Sequence, residues 1–121
     1  MSARQREYFR LRLTRWKDEL LKESTNTLNS LQQNSLQSPD IADRASAETD
    51  RAVELRTRDR ERKLIVKIDG ALDRIENGSY GFCEETGDPI GVRRLEARPI
   101  ATLSLEAQER HERMERIYRD D

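Results

Sequence analysis

The sequence predicts a mostly α-helical protein: an antiparallel coiled-coil helical hairpin, a small degenerate zinc-ribbon-like knob, and a C-terminal helix. Three observations predict it. Charged residues make up 39% of the 121 residues and hydrophobic ones 34%, with a formal net charge of -1. Two long runs lack proline and space their apolar residues by three, four and seven. Four of the five glycines then crowd into Gly78–Gly91, where that periodicity stops. A chain this polar with so little net charge suits long helices laced with opposite charges better than disorder.

The first run, from about Arg4 to Asn34, carries Phe9, Leu13, Trp16, Leu20, Leu21, Leu28 and Leu31. That narrow stripe is closer to a coiled-coil seam than to the face of a globular helix. Gln32–Pro39 dilutes and ends it. The second run, from about Ile41 to Glu76, begins with small apolar positions such as Ala42, Ala45 and Ala52. It ends with Ile65, Ile68, Leu72 and Ile75 in an a/d register. Between Leu55 and Leu64 it has no large apolar group, so the hairpin should pack best at its base and thin towards its tip. Gly70 weakens the second helix by about 1 kcal/mol without breaking it. A short connection forces the two helices to run antiparallel.

Asn77-Gly78 is a helix stop, and Thr86-Gly-Asp-Pro89 reads as a turn between two short extended pieces. Leu95, Ile100 and Leu103 supply apolar anchors, and Pro99 breaks any helix through Arg93–Ala97. Ser104 is an N-cap for a last helix running to about Tyr118. The hairpin is assigned to residues 1–76, with its tip near 38–46 and its base forming part of the globular domain; the knob and last helix take 77–121.

Composition excludes several functions. The near-neutral charge does not suit a protein that coats DNA, and nothing here reads bases. No apolar run approaches the roughly 18 residues of a membrane span, and the N-terminus opens directly into an amphipathic pattern, so a soluble, cytoplasmic protein is expected. There is no phosphate loop, nucleophile elbow or second histidine, which argues against an enzyme. Cys83 is the only cysteine and His111 the only histidine, so a four-ligand structural zinc site cannot be assembled. Cys83 reads as a small, partly buried apolar group, with redox sensing as the alternative.

Two clusters remain. Asp40 and Asp43, at the turn between the long helices, either cap the second helix or present charge to another molecule. Arg56, Arg60, Lys63 and Lys67 share one helix face, either solvated and paired with neighbouring acids or facing a phosphorylated or acidic ligand. Arg93, Arg94 and Arg98 could extend that basic surface.

Pro39-Asp-Ile-Ala-Asp-Arg-Ala45, Glu54-Leu-Arg-Thr-Arg-Asp-Arg-Glu-Arg-Lys-Leu-Ile65, Tyr80-Gly-Phe-Cys-Glu84 and Ile90-Gly-Val-Arg-Arg-Leu-Glu-Ala-Arg-Pro99 occur in this order. In that order and spacing the chain closely resembles the DksA family of bacterial transcription regulators, over nearly its whole length. The resemblance implies a protein, expected to be a monomer, that binds RNA polymerase rather than DNA. Its hairpin enters the secondary channel, and its acidic tip approaches the catalytic elements. It implies that Asp40, Asp43 and Ala45 form the Asp-x-x-Asp-x-Ala tip motif. Leu64, Lys67 and Arg98 match positions that contact the alarmone ppGpp, bound at the polymerase interface, while Arg60 and Arg94 match docking positions. A further basic alarmone position is Gln108 here. The four zinc cysteines of typical members correspond to Cys83, Thr86, Ser104 and Ala107, as in a cysteine-poor, zinc-independent branch. Phe82, Ile90, Leu95 and Leu103 are then expected to replace the metal's contribution to folding. The extra N-terminal segment of some members has no counterpart. Rival readings are a transcript-cleavage factor acting in the same channel and a non-catalytic coiled-coil adaptor.

Overall fold

The structure, a computed structural model, describes the backbone of residues 1–37 and 41–119, and the side chains of these except residues 27, 30–37 and 41–45. Helix α1 spans Ala3–Gln37 and α2 spans Ile41–Asn77; α3 (Val92–Ala97) and α4 (Leu105–Arg119) follow. Among the described residues there is no named strand. The expected pair of extended pieces is reduced to a single antiparallel bridge between Phe82 and Pro89. The eight residues Phe82–Pro89, with a tight turn and a proline at their end, leave no room for a ladder.

Each helix end has a local cause. Ser2 Oγ accepts from the backbone N–H of Gln5 at 3.1 Å, while Gln5 Oε1 accepts from the Ser2 N–H at 3.0 Å. This reciprocal capping box starts α1 slightly earlier than apolar spacing alone suggests. Helix α2 stops where Gly78 takes φ 85°, which lets the N–H groups of Ser79 and Tyr80 both reach the Arg74 carbonyl. Ser104 Oγ accepts from the Ala107 N–H at 3.2 Å, the expected N-cap of α4. Helix α3 occupies a segment where Pro99 was expected to forbid helix; it fits because it ends at Ala97, before the residue that precedes the proline.

The chain divides into two compact units: Met1–Leu13 with Asp69–Asp121, and Thr14–Ile68. The first unit holds most of the core. Phe9, Leu13, Ala71, Tyr80, Cys83, Ile90, Leu95, Ala101 and Ala107 are buried there. The Phe9 ring packs on Tyr80 with centroids 5.7 Å apart. The Tyr80 hydroxyl donates to the Pro99 carbonyl at 2.8 Å, and burial pushes its pKa up to about 12. The expected four-residue replacement for a metal is therefore corrected in part. Ile90 and Leu95 are buried, but Phe82 is 44% exposed. Phe9 and Tyr80 supply the aromatic bulk instead.

In the second unit α1 and α2 are joined by the short connection between Gln37 and Ile41, which makes them antiparallel neighbours. Only Leu20 and Ile68 are buried among its described residues, and Leu21, Val53, Leu55 and Val66 are exposed. Trp16, Leu64 and Ile65 are half-buried. The seam is thus apolar over a short stretch and polar beyond it, the thinning that the spacing predicts. Exposed pairs decorate it, including Asp59 with Arg62 at 2.9 Å and with Lys63 at 3.1 Å.

Gly70 sits within α2, and a Cβ there would meet only Arg74 Nη1 at 3.6 Å, an ordinary contact. Gly70→Ala should therefore stabilise the protein by about 0.5–1 kcal/mol, read as a higher urea midpoint at unchanged slope. An unchanged or lower midpoint would show that something else requires glycine at this position.

Candidate functional site

The acidic candidates fall at the α1–α2 connection. Asp40 lies outside the described residues, as do the side chains of Asp43 and Ala45. The backbones of Asp43 and Ala45 belong to the start of α2, which begins at Ile41. In this first turn amide hydrogens lack helical partners and the helix dipole favours negative charge.

The basic face lies on the same helix. Arg56, Arg60, Lys63 and Lys67 are all exposed on α2, as their spacing predicts. They are not equally available. Lys63 is held by Asp59, and Arg56 Nε donates back to the Ala52 carbonyl at 3.3 Å. Arg60 and Lys67 make no ion pair with another described residue, so their charge is open to a ligand. Leu64 sits half-buried one turn before Lys67, giving an apolar shoulder beside a cation on the same helix.

In the other unit Arg98 is exposed at the C-terminal end of α3, its N–H bonded to the Arg94 carbonyl at 2.7 Å. Arg94 is half-buried and its Nε donates to the Leu103 carbonyl at 2.9 Å. Much of its donor capacity therefore fastens α3 to the chain leading into α4. Sequence reasoning missed this inward role, because nothing in the order of residues announces which arginine will meet a carbonyl.

Cys83 is 3% exposed and sits at a junction. The Thr86 hydroxyl and the backbone amides of Ser104, Thr86 and Glu85 act on its sulfur and favour the thiolate. These donors lower the thiol pKa from 9.0 to about 6, outweighing the burial that opposes ionisation. Two further hydrogen bonds close the turn around it: the Cys83 N–H donates to the Asp88 carbonyl at 2.8 Å, and the Gly87 N–H to the Cys83 carbonyl at 2.9 Å. Ala107, fully buried, lies on the first turn of α4 beside the Ser104 cap. The fold thus gathers Cys83, Thr86 and Ser104 about one sulfur. An ionised thiol is the reactive form, but burial denies it the exposure that oxidant-sensing cysteines have. His111 on α4 contacts Glu85, a second tie from that helix to the same turn that the sequence does not disclose.

Among the described residues no group of three or more His, Cys, Asp or Glu side chains could hold a metal ion. No described helix is long and apolar enough to cross a membrane.

Comparison with known proteins puts these features in context. Residues 5–75 match the family described as "DnaK suppressor protein DksA, N-terminal domain", and residues 78–113 match "Prokaryotic dksA/traR C4-type zinc finger". The chain is 65% identical over its whole length to an RNA polymerase-binding transcription factor DksA of Caulobacter vibrioides, covering 85% of that protein. It is 43% identical over 89% of its length to the Escherichia coli K12 protein of the same name, covering 72% of it. The solved structure of transcription factor DksA2 from Pseudomonas aeruginosa superposes with a TM-score of 0.89 at 46% identity, over 96% of this chain and 89% of that one. A C4 zinc centre needs four thiolates at about 2.3 Å. Cys83, Thr86, Ser104 and Ala107 offer one thiol, two hydroxyls and a methyl, which does not fit such a centre.

Proposed function

The chain belongs to the DksA family, and on that premise we propose that it binds bacterial RNA polymerase and regulates transcription initiation through contact rather than catalysis. The observation that carries this reading is a match along the whole chain, at 65% identity, to a relative named for polymerase binding. In this reading the hairpin enters the secondary channel of the polymerase. Asp40 and Asp43, with Ala45 allowing close approach, bring negative charge to the mobile elements around the active centre. Their effect is to shift a conformational equilibrium, which requires only that the charge favour one state over the other.

The alarmone ppGpp is the regulatory ligand in this reading, held at the polymerase interface by Leu64, Lys67 and Arg98, with Arg60 and Arg94 docking the protein. The exposed, unpaired Lys67 and the exposed Arg98 supply charge-assisted donors suited to phosphate oxygens, in support of that role. Gln108 is half-buried on α4 and its amide donates to Glu112 at 3.3 Å, so no cation is added there. The protein acts as a monomer and without zinc, its knob relying on the aromatic core and the donors around Cys83.

The test is transcription in vitro from a ribosomal RNA promoter, with and without ppGpp. Wild-type protein should shorten the lifetime of the promoter complex. Asp43→Asn, which keeps a helix-capping side chain and removes the charge, should lose most of that effect while still binding polymerase. Full activity in Asp43→Asn would reduce the tip to a helix cap and leave an adaptor. Accelerated RNA cleavage in backtracked complexes would replace regulation by charge with metal-assisted hydrolysis.

A further inference from the structure

Helix α3 has only six residues, too few to persist in water without anchors. Gly91, which precedes it with φ 95°, offers no side-chain cap. Three consecutive side chains hold it instead. Leu95 is 1% exposed and fixes the helix to the core. Arg94 and Glu96, one residue to either side, point in nearly opposite directions around the axis, because each residue turns the helix by about 100°. Arg94 Nε donates to the Leu103 carbonyl at 2.9 Å, on the chain leading into α4. Glu96 Oε2 accepts from Arg12 Nη1 of α1 at 2.9 Å, across 84 residues of sequence. Arg12 is itself well placed, since Leu13 beside it and Phe9 one turn earlier are buried in the same unit. The short helix is thus tied on both flanks of one buried leucine.

Arg98 begins where α3 ends. Its N–H is bonded to the Arg94 carbonyl at 2.7 Å, and its own carbonyl accepts from the Ala101 N–H at 3.0 Å. Its main chain is therefore fastened to the last turn of α3. A roll of α3 about Leu95 would swing the exposed Arg98 guanidinium, carried on a long side chain, away from a fixed phosphate. With Arg98 as an alarmone contact, the reading set out above, we propose that Arg12 and Glu96 are positioning residues for it: their ion pair stops this roll and keeps Arg98 where it meets ppGpp.

The side chains of Arg12 and Glu96 are 39% and 47% exposed, and pairs this accessible add little to stability. Losing the pair should therefore leave the protein folded and change only the orientation of α3. Charge alone predicts an effect of the other sign. A carboxylate two residues from a phosphate-binding cation repels the phosphate, so removing it without moving α3 should tighten ppGpp. Positioning predicts that the same change weakens it.

The test is the ppGpp dependence of transcription from a ribosomal RNA promoter, using the full-length protein and polymerase. Glu96→Gln and Arg12→Met should each raise the ppGpp concentration for half effect about two- to fivefold, the coupling that a half-exposed ion pair can supply. Arg12→Lys, which keeps the cation, should stay closer to wild type than Arg12→Met. Arg98→Ala, which removes a charge-assisted donor, should raise the half-effect concentration by at least about tenfold. Without ppGpp, Glu96→Gln and Arg12→Met should shorten promoter-complex lifetime as wild type does, and their urea midpoints should match it, which a general loss of folding would not allow. A lower half-effect concentration in Glu96→Gln would leave only direct repulsion and overturn the positioning role, as would unchanged values in both variants. An unchanged response in Arg98→Ala would remove the alarmone contact itself, and the positioning role with it. The two failures are told apart by which variant is silent.

Discussion

Replacing Phe9 with alanine should lower the unfolding free energy by about 3–5 kcal/mol, the usual cost of removing a fully buried aromatic ring. Phe9 is 0% exposed, packs at 5.7 Å from Tyr80, and shares its unit's core with Leu13, with Leu95 on α3 and with Cys83 and Ile90 of the turn-rich insert. The ring's loss leaves a cavity lined by side chains anchored on separate segments, which cannot close without moving backbone. A typical domain is stable by only about 5–15 kcal/mol, so the variant should melt at much lower denaturant concentration. Leu21→Ala is the internal control. Leu21 belongs to the same apolar stripe in the sequence but is 45% exposed, and its loss should change stability by no more than about 0.5 kcal/mol. Chemical denaturation of both variants checks the pair. Equal costs would mean that the core does not begin at the N-terminal end of α1.

The second expected result concerns pH and Cys83. The folded pKa is lowered from 9.0 to about 6 by donors from Thr86, Ser104 and Glu85, whereas in the unfolded chain the thiol titrates near its ordinary value. Between those limits the unfolded chain binds a proton that the folded protein does not. The thiolate's contribution is therefore complete above about pH 9, shrinks as pH falls, and is gone below about 6. Cys83→Ser keeps a small polar atom in the same place but cannot ionise. Under reducing conditions, the stability advantage of wild type over Cys83→Ser should grow from pH 6 to pH 9 and stay flat below 6. An advantage unchanged across that range would mean that the sulfur is held as a neutral thiol.

Much of the architecture is legible in the chain. The stretches that lack proline, the Asn77-Gly78 stop and the Ser104 cap locate three of the four helices within a few residues, because helix formation and termination depend on neighbours in sequence. The same local logic places Arg60 and Lys67 on an exposed face. Misjudgements arise where the partner lies far along the chain. Phe82, bracketed by glycine and cysteine in a compact segment, looks like core but is exposed, because Phe9 and Tyr80 take the space it would fill. For Arg94 the sequence offers a docking charge, and only the fold adds that its Nε donates to the Leu103 carbonyl.

By itself, then, the order of residues determined the helices, their polar character and the family to which the chain belongs, because periodicity, caps and turn residues act over one or two turns of backbone. Only the tertiary structure decided which apolar groups are core, that Thr86, Ser104 and Glu85 favour the thiolate of Cys83, and that Arg94 reaches the Leu103 carbonyl. Those outcomes depend on burial and on the approach of groups many residues apart, which set the cost of a charge or a cavity and which no local pattern encodes.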